Sequence, residues 1–178
     1  GVLVGNPKKK RRLKIPQNLF VKDVQELLNN PKINIIVELI GGTGFAYQLV
    51  KSALQAGKHV VTANKALIAL HGKELFKIAA SKKVELLFEA AVAGGIPILR
   101  SVREGLSANH ILSIYGILNG TCNYILTQMD ENGLSFAAAL KQAQELGYAE
   151  ADPTFDVEGI DAAHKLAILA SLAYGVYA

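Results

Sequence analysis

The chain has 178 residues, 51% of them hydrophobic, and a formal net charge of +4, enough apolar material to bury the core of one domain or slightly more. Its one cysteine, Cys122, excludes an internal disulfide and fits a reducing compartment. The uncharged stretch Leu166 to Ala178 falls short of the roughly 18 residues of a membrane span, and GVLVGNPKKK lacks the apolar core of a secretion signal, so a soluble, cytoplasmic globular protein is expected.

VLV (2–4) reads as the end of a strand, followed by five consecutive basic residues, Lys8 to Arg12. Such a run suits either a phosphate-binding or nuclear-targeting patch or a solvated loop. The other charges are mixed in sign and form no basic stripe with interleaved aromatics, which makes nucleic acid a minor reading. An amphipathic helix near Val21–Leu28 comes next. INIIVELI (33–40) is a continuous apolar, β-branched run, the pattern of a buried parallel strand. GGTG breaks it, and FAYQLVKSALQAG follows with helical spacing and a glycine stop at Gly57. KHVVTAN predicts a short strand, KALIALHGKELFKIAASKK helical turns interrupted near Gly72, and VELLFEA (84–90) a third buried strand. This βαβαβ alternation predicts a Rossmann-like parallel sheet.

The pattern then changes. AVAGGIP predicts a bend, PILRSVREGL a short helix, and HILSIYGIL (110–118) a long strand. NGTCNYILTQMDENG and SFAAALKQAQELG read as two helices, the first capped by Asn119 or Thr121. The polar loop YAEADPTFDVEG leads to a last helix whose LAILASLA should be buried on nearly every side. A boundary is expected near residue 92, dividing a partial nucleotide-binding domain (1–92) from part of an α+β catalytic and dimerisation domain (93–178). No G-x-G-x-x-G occurs, so the first βα unit is read as absent and the chain as an incomplete copy of something longer.

Ligands of a parallel sheet gather at the carboxyl ends of its strands. IGGTG (40–44), TANK (62–65) and EAAVAGGIP (89–97) end there. Gly41 and Gly42 allow close backbone approach to a flat or phosphorylated ligand, or form a plain tight turn. Lys65, after Asn64, reaches into a cleft or is an exposed surface charge. Glu89 supplies one oxygen of a cation site completed by backbone carbonyls, or caps a helix. On the last helix Asp161 and Lys165 are an i,i+4 pair. Exposed, the pair contributes a few tenths of a kcal/mol. Partly buried, the carboxylate holds the ammonium in place, and the lysine becomes an acid or base. Glu150, Asp152 and Asp156 add acceptors for a substrate ammonium group, while His164 points elsewhere and reads as structural.

TANKAL, EAAVAGGIPI, GILNGTCNYIL and GYAEADPTFDVEGIDAAHKLAILASLA, in that order, resemble the motifs of the homoserine dehydrogenase family, over the middle of that family's chain. The resemblance implies reversible reduction of L-aspartate 4-semialdehyde to L-homoserine with NADH or NADPH, in the threonine, methionine and isoleucine branch of amino-acid biosynthesis. It implies that Lys165 gives a proton to the carbonyl oxygen, that Asp161 positions that lysine, and that Glu150 and Asp156 bind substrate. Lys65 is implied as a second catalytic lysine. Gly41, Gly42, Asn64, Lys65 and Gly147 are implied at the cofactor, and Glu89 with the carbonyls of Val92, Gly94 and Ile96 at a sodium or potassium ion. A homodimer of the complete protein is implied as well. Many members place an arginine where Gly5 stands, to meet the 2′-phosphate of NADP. The Lys8–Arg12 run can replace it, which favours NADP over NAD. Two other function classes stand beside the dehydrogenase: a catalytically inactive binding or assembly module, and a nucleic-acid binder.

Overall fold

The computed structural model describes residues 1–176, and the chain divides into two compact units between Phe88 and Glu89. Val2, expected at the end of a strand, makes a single parallel bridge with Phe20. Helix α1 (Val24–Leu28) starts at a capping box, with Asp23 accepting from the Gln25 N–H and Glu26 accepting from that of Asp23. Strands β1 (Ile35–Glu38), β2 (His59–Thr62) and β3 (Leu86–Leu87) form a parallel sheet in the order β1-β2-β3. Parallel neighbours need long crossovers, which α2 (Phe45–Gln55) and α3 (Lys65–Lys82) provide. The result is the Rossmann-like α/β arrangement that the alternation predicts.

Ile36, Val60 and Leu86 are buried with Leu49, Val50, Ala53 and Leu54 of α2 and Leu67, Ile68 and Leu75 of α3. Successive strand residues point to opposite faces, and Ile35, Val37, Val61 and Leu87 are exposed. The apolar run 33–40 therefore differs from a strand covered on both sides: among the described residues only one face is covered. Helix α3 runs unbroken through Gly72. That residue is buried, and a Cβ there would meet the Phe76 ring at 3.2 Å, so the glycine serves close packing rather than a break.

In the second unit, a 3-10 turn (Glu89–Ala91) precedes α4 (Ile98–Arg100), which continues as a π-helical turn (Ser101–Gly105). Then follow α5 (Gly120–Asn132), α6 (Phe136–Glu145), α7 (Thr154–Val157) and α8 (Ile160–Tyr174). Asn119 is the cap of α5, its Oδ1 accepting the Cys122 N–H at 2.7 Å, and Ser135 caps α6. The two helices close a small core of Ile125, Ala139, Ala143 and Ala149, flanked by Tyr124 and Met129.

Segment 110–118 is not a strand. Leu112 and Tyr115 are 92% and 91% exposed. A strand needs a neighbour for its N–H and C=O groups, and no described residue pairs with this one. LAILASLA is less buried than its composition predicts, since only Ile168 and Leu169 of it are buried while Leu166 is exposed. No described helix is long and apolar enough to cross a membrane.

Candidate active site

Asp161 and Lys165 lie one turn apart near the start of α8. Lys165 Nζ donates to Asp161 Oδ2 at 2.6 Å and to the Leu118 carbonyl at 2.7 Å. The side chains are 20% and 8% exposed, lysine first. An ammonium has three N–H donors, so two bonds aim it and a third donor remains to meet a ligand oxygen. Asn119 organises the acids. Its Nδ2 donates to Asp161 Oδ2 at 2.9 Å and to Asp156 Oδ1 at 2.7 Å, while its Oδ1 caps α5. Three predicted residues, Asp156, Asp161 and Lys165, thus meet in one network.

Cys122 packs beside it, donating through Sγ to the Asp156 carbonyl at 3.2 Å. Burial pushes its thiol above the ordinary range, and the charges of Asp156 and Asp161 push the same way. Thr121 Oγ1 donates to the Tyr148 carbonyl at 2.8 Å, tying α5 to the loop that carries Gly147 and Glu150. Gly147 is exposed with φ +78°. Glu150 is also exposed and stands outside the network, while its backbone carbonyl accepts from Gln144. Asp152 is engaged locally, and hydrogen bonds from the Thr154 hydroxyl and N–H hold its carboxyl below the usual range. His164 packs against Phe155, ring centroids 5.7 Å apart and planes tilted by 60°, and its buried Nδ1 has no hydrogen-bond partner among the described residues.

In the first unit the turn after β1 holds Gly41 and Gly42, with φ +83° and +72°. A Cβ on either would meet nothing within 4 Å, so the requirement for glycine is conformational and the space in front is open. Asn64 caps α3, accepting from the Leu67 N–H at 3.1 Å, and its Nδ2 donates to the Gly42 carbonyl at 2.7 Å. Lys65 is therefore the first residue of a helix, where the dipole disfavours a cation.

Glu89 is exposed and caps α4, its two oxygens accepting from the N–H groups of Leu99 and Arg100, both at 3.0 Å. The following loop is irregular, with Ala93 at φ +48° and Gly95 at φ +88°. Val92 is buried, Gly94 and Ile96 are exposed, and the Ile96 carbonyl accepts from Ile98. Among the described residues no cluster of three His, Cys, Asp or Glu forms a metal site. The basic run folds on itself, since Arg11 donates to the carbonyls of Asn6, Pro7 and Lys9 and lies over the Phe20 ring. Lys8, Lys9 and Lys14 line a hollow of about 290 Å³ beside it.

A profile described as homoserine dehydrogenase, NAD binding domain, matches residues 1–89, and one described as homoserine dehydrogenase matches residues 97–178. The chain belongs to the homoserine dehydrogenase family. A homoserine dehydrogenase of Pseudomonas aeruginosa is 61% identical over 154 residues, 86% of this chain and 36% of that protein. The crystal structure of a homoserine dehydrogenase from Thiobacillus denitrificans superposes with TM-score 0.85 at 55% identity, covering 88% of this chain and 36% of that one. A hyperthermophilic archaeal homoserine dehydrogenase in complex with NADPH superposes at 0.81 with 36% identity, covering 88% and 48%. The chain thus spans a little over a third of the curated relative's length.

Sequence reading missed two contributors to the Asp161–Lys165 network of the second unit, and one buried acid of the first unit. Asn119 was visible only as a cap, yet its amide joins two carboxylates. The Leu118 carbonyl that aims Lys165 has no sequence signal. Glu38 was hidden inside an apolar strand, although a lone charge in such a run is itself a signal, because it must be paired to be buried.

Proposed function

We propose that the complete protein is a homoserine dehydrogenase, which reduces L-aspartate 4-semialdehyde reversibly to L-homoserine. The observation that carries this reading is the part-buried Asp161–Lys165 pair, with its ammonium anchored a second time on Leu118. A hydride added at an aldehyde carbon leaves charge on oxygen, and that oxygen needs a proton. Lys165 gives the proton and stabilises the developing alkoxide, while Asp161, steadied by Asn119, fixes its direction. Glu150 and Asp156 hold the substrate's ammonium group, and Lys65 is the second catalytic lysine. The reduced nicotinamide supplies the hydride. Gly41, Gly42, Asn64, Lys65 and Gly147 are its contacts, and the open glycine turn fits close approach by a flat group.

NADP is the preferred form, with Lys8, Lys9 and Lys14 around their hollow as the 2′-phosphate donors. A sodium or potassium ion is held by Glu89 and the carbonyls of Val92, Gly94 and Ile96. The left-handed Ala93 supports this, since a non-glycine residue keeps that conformation only where its surroundings impose it. The exposed apolar segment 110–118 suits pairing with a second copy, so the complete protein is a homodimer. It acts in the cytoplasm, in threonine, methionine and isoleucine biosynthesis. With full-length enzyme, NADPH and L-aspartate 4-semialdehyde, NADPH is consumed and homoserine appears. NADPH consumption no faster than without the aldehyde refutes the assignment.

A further inference from the structure

Glu38 ends β1 with its carboxylate turned inward, and the residue is only 1% exposed. A buried carboxylate is costly unless hydrogen bonds match its charge. Its Oε1 accepts the N–H groups of Ile40 at 2.6 Å and Gly41 at 2.9 Å, and its Oε2 accepts the Thr62 hydroxyl at 2.5 Å. Thr62 Oγ1 in turn accepts the Asn64 N–H at 3.0 Å. Asn64 returns to the turn by donating to the Gly42 carbonyl at 2.7 Å, while capping α3 through Leu67. Thr62 and Asn64 are buried as well. The ring Glu38–Thr62–Asn64–Gly42 joins the ends of β1 and β2 to the first turn of α3.

Nothing packs near the outer side of Gly41 or Gly42. Both are left-handed glycines, the residues with most freedom to leave a given conformation. Their shape is fixed from beneath, by this ring. We propose that Glu38 is a positioning residue for the dinucleotide: it holds the Gly41–Gly42 turn and the start of α3, which carries Lys65, in the form that receives the reduced nicotinamide cofactor. This rests on the dehydrogenase reading above. Because the carboxylate takes the N–H groups of Ile40 and Gly41, those two donors are withheld from phosphate. The turn meets the cofactor as a preformed glycine backbone, not as an anion nest.

The test uses full-length enzyme and reads NADPH binding by calorimetry, beside melting temperature and the KM for the aldehyde. Thr62→Val removes the hydroxyl that links Glu38 to Asn64, and Thr62→Ser keeps it. Glu38→Gln keeps the shape and loses the charge. If the loosened turn holds its receptive form in about one molecule in ten, apparent affinity falls about tenfold. Glu38→Gln and Thr62→Val are therefore expected to weaken NADPH about tenfold, with the aldehyde KM unchanged, and Thr62→Ser to restore the affinity. Binding is read without turnover, so a wild-type protein that binds NADPH but leaves the aldehyde unreduced would refute the reaction assignment and still report on Glu38. Should Glu38→Gln fail to fold, Thr62→Val and Thr62→Ser decide alone. Wild-type affinity in folded Thr62→Val overturns the proposal. So does equal weakening in Thr62→Ser, which traces the effect to packing rather than to the hydroxyl.

Discussion

Replacing Asp161 with leucine removes the acceptor shared by Lys165 and Asn119, at 2.6 and 2.9 Å. Lys165 is left with the Leu118 carbonyl, and Asn119 with Asp156. Breaking a fully buried pair costs about 3–5 kcal/mol. Lys165 keeps some solvent and one carbonyl, which puts the expected loss nearer 2–3 kcal/mol. Lys165→Met leaves the buried carboxylate without its ammonium partner, and a similar loss follows. The double variant removes both charges and keeps the volume apolar, a replacement that is often neutral. Two single losses of about 2–3 kcal/mol each, against a near-neutral double variant, close a cycle with a coupling of about 4–6 kcal/mol. Urea unfolding of full-length enzyme, followed by far-ultraviolet circular dichroism, measures it. Coupling under about 0.5 kcal/mol, the scatter of independent sites, would refute the argument and mean that the two charges are solvated separately.

The other predictions concern the ion and the thiol. Activity of the full-length enzyme rises with added sodium or potassium, and Glu89→Ala abolishes that dependence; identical salt titrations of wild type and variant contradict the site. Cys122 has its thiol raised by burial, so at pH 8 it carries less thiolate than a free thiol and alkylates more slowly. Its rate climbs only as pH passes above the ordinary thiol range, and iodoacetamide labelling at the rate of glutathione contradicts the burial.

The alternation of apolar runs and helical spacing was enough to place β1, β2, α2 and α3, although β1 is covered on one face only. The i,i+4 spacing likewise placed Asp161 under Lys165. What failed to show was context. Gly72 looks like a break but lies inside a helix, where a Cβ would press on the Phe76 ring at 3.2 Å. Segment 110–118 has a strand's composition, yet pairing is a property of two segments and none of the described ones meets it. Glu89 reads from the sequence as a cation ligand or a helix cap, and its hydrogen bonds are those of the cap. Glu38 looked like part of a hydrophobic strand, because its partners, Gly41 aside, are an N–H of that same run and a threonine 24 residues away.

Steady-state kinetics of Lys165→Met in full-length enzyme test the central claim most directly. General acid catalysis of this kind contributes roughly 10²–10⁴-fold, so turnover of L-aspartate 4-semialdehyde falls by about that factor while NADPH affinity stays near that of wild type. Retention of more than about half of wild-type turnover contradicts the account and moves the proton-donor role to Lys65.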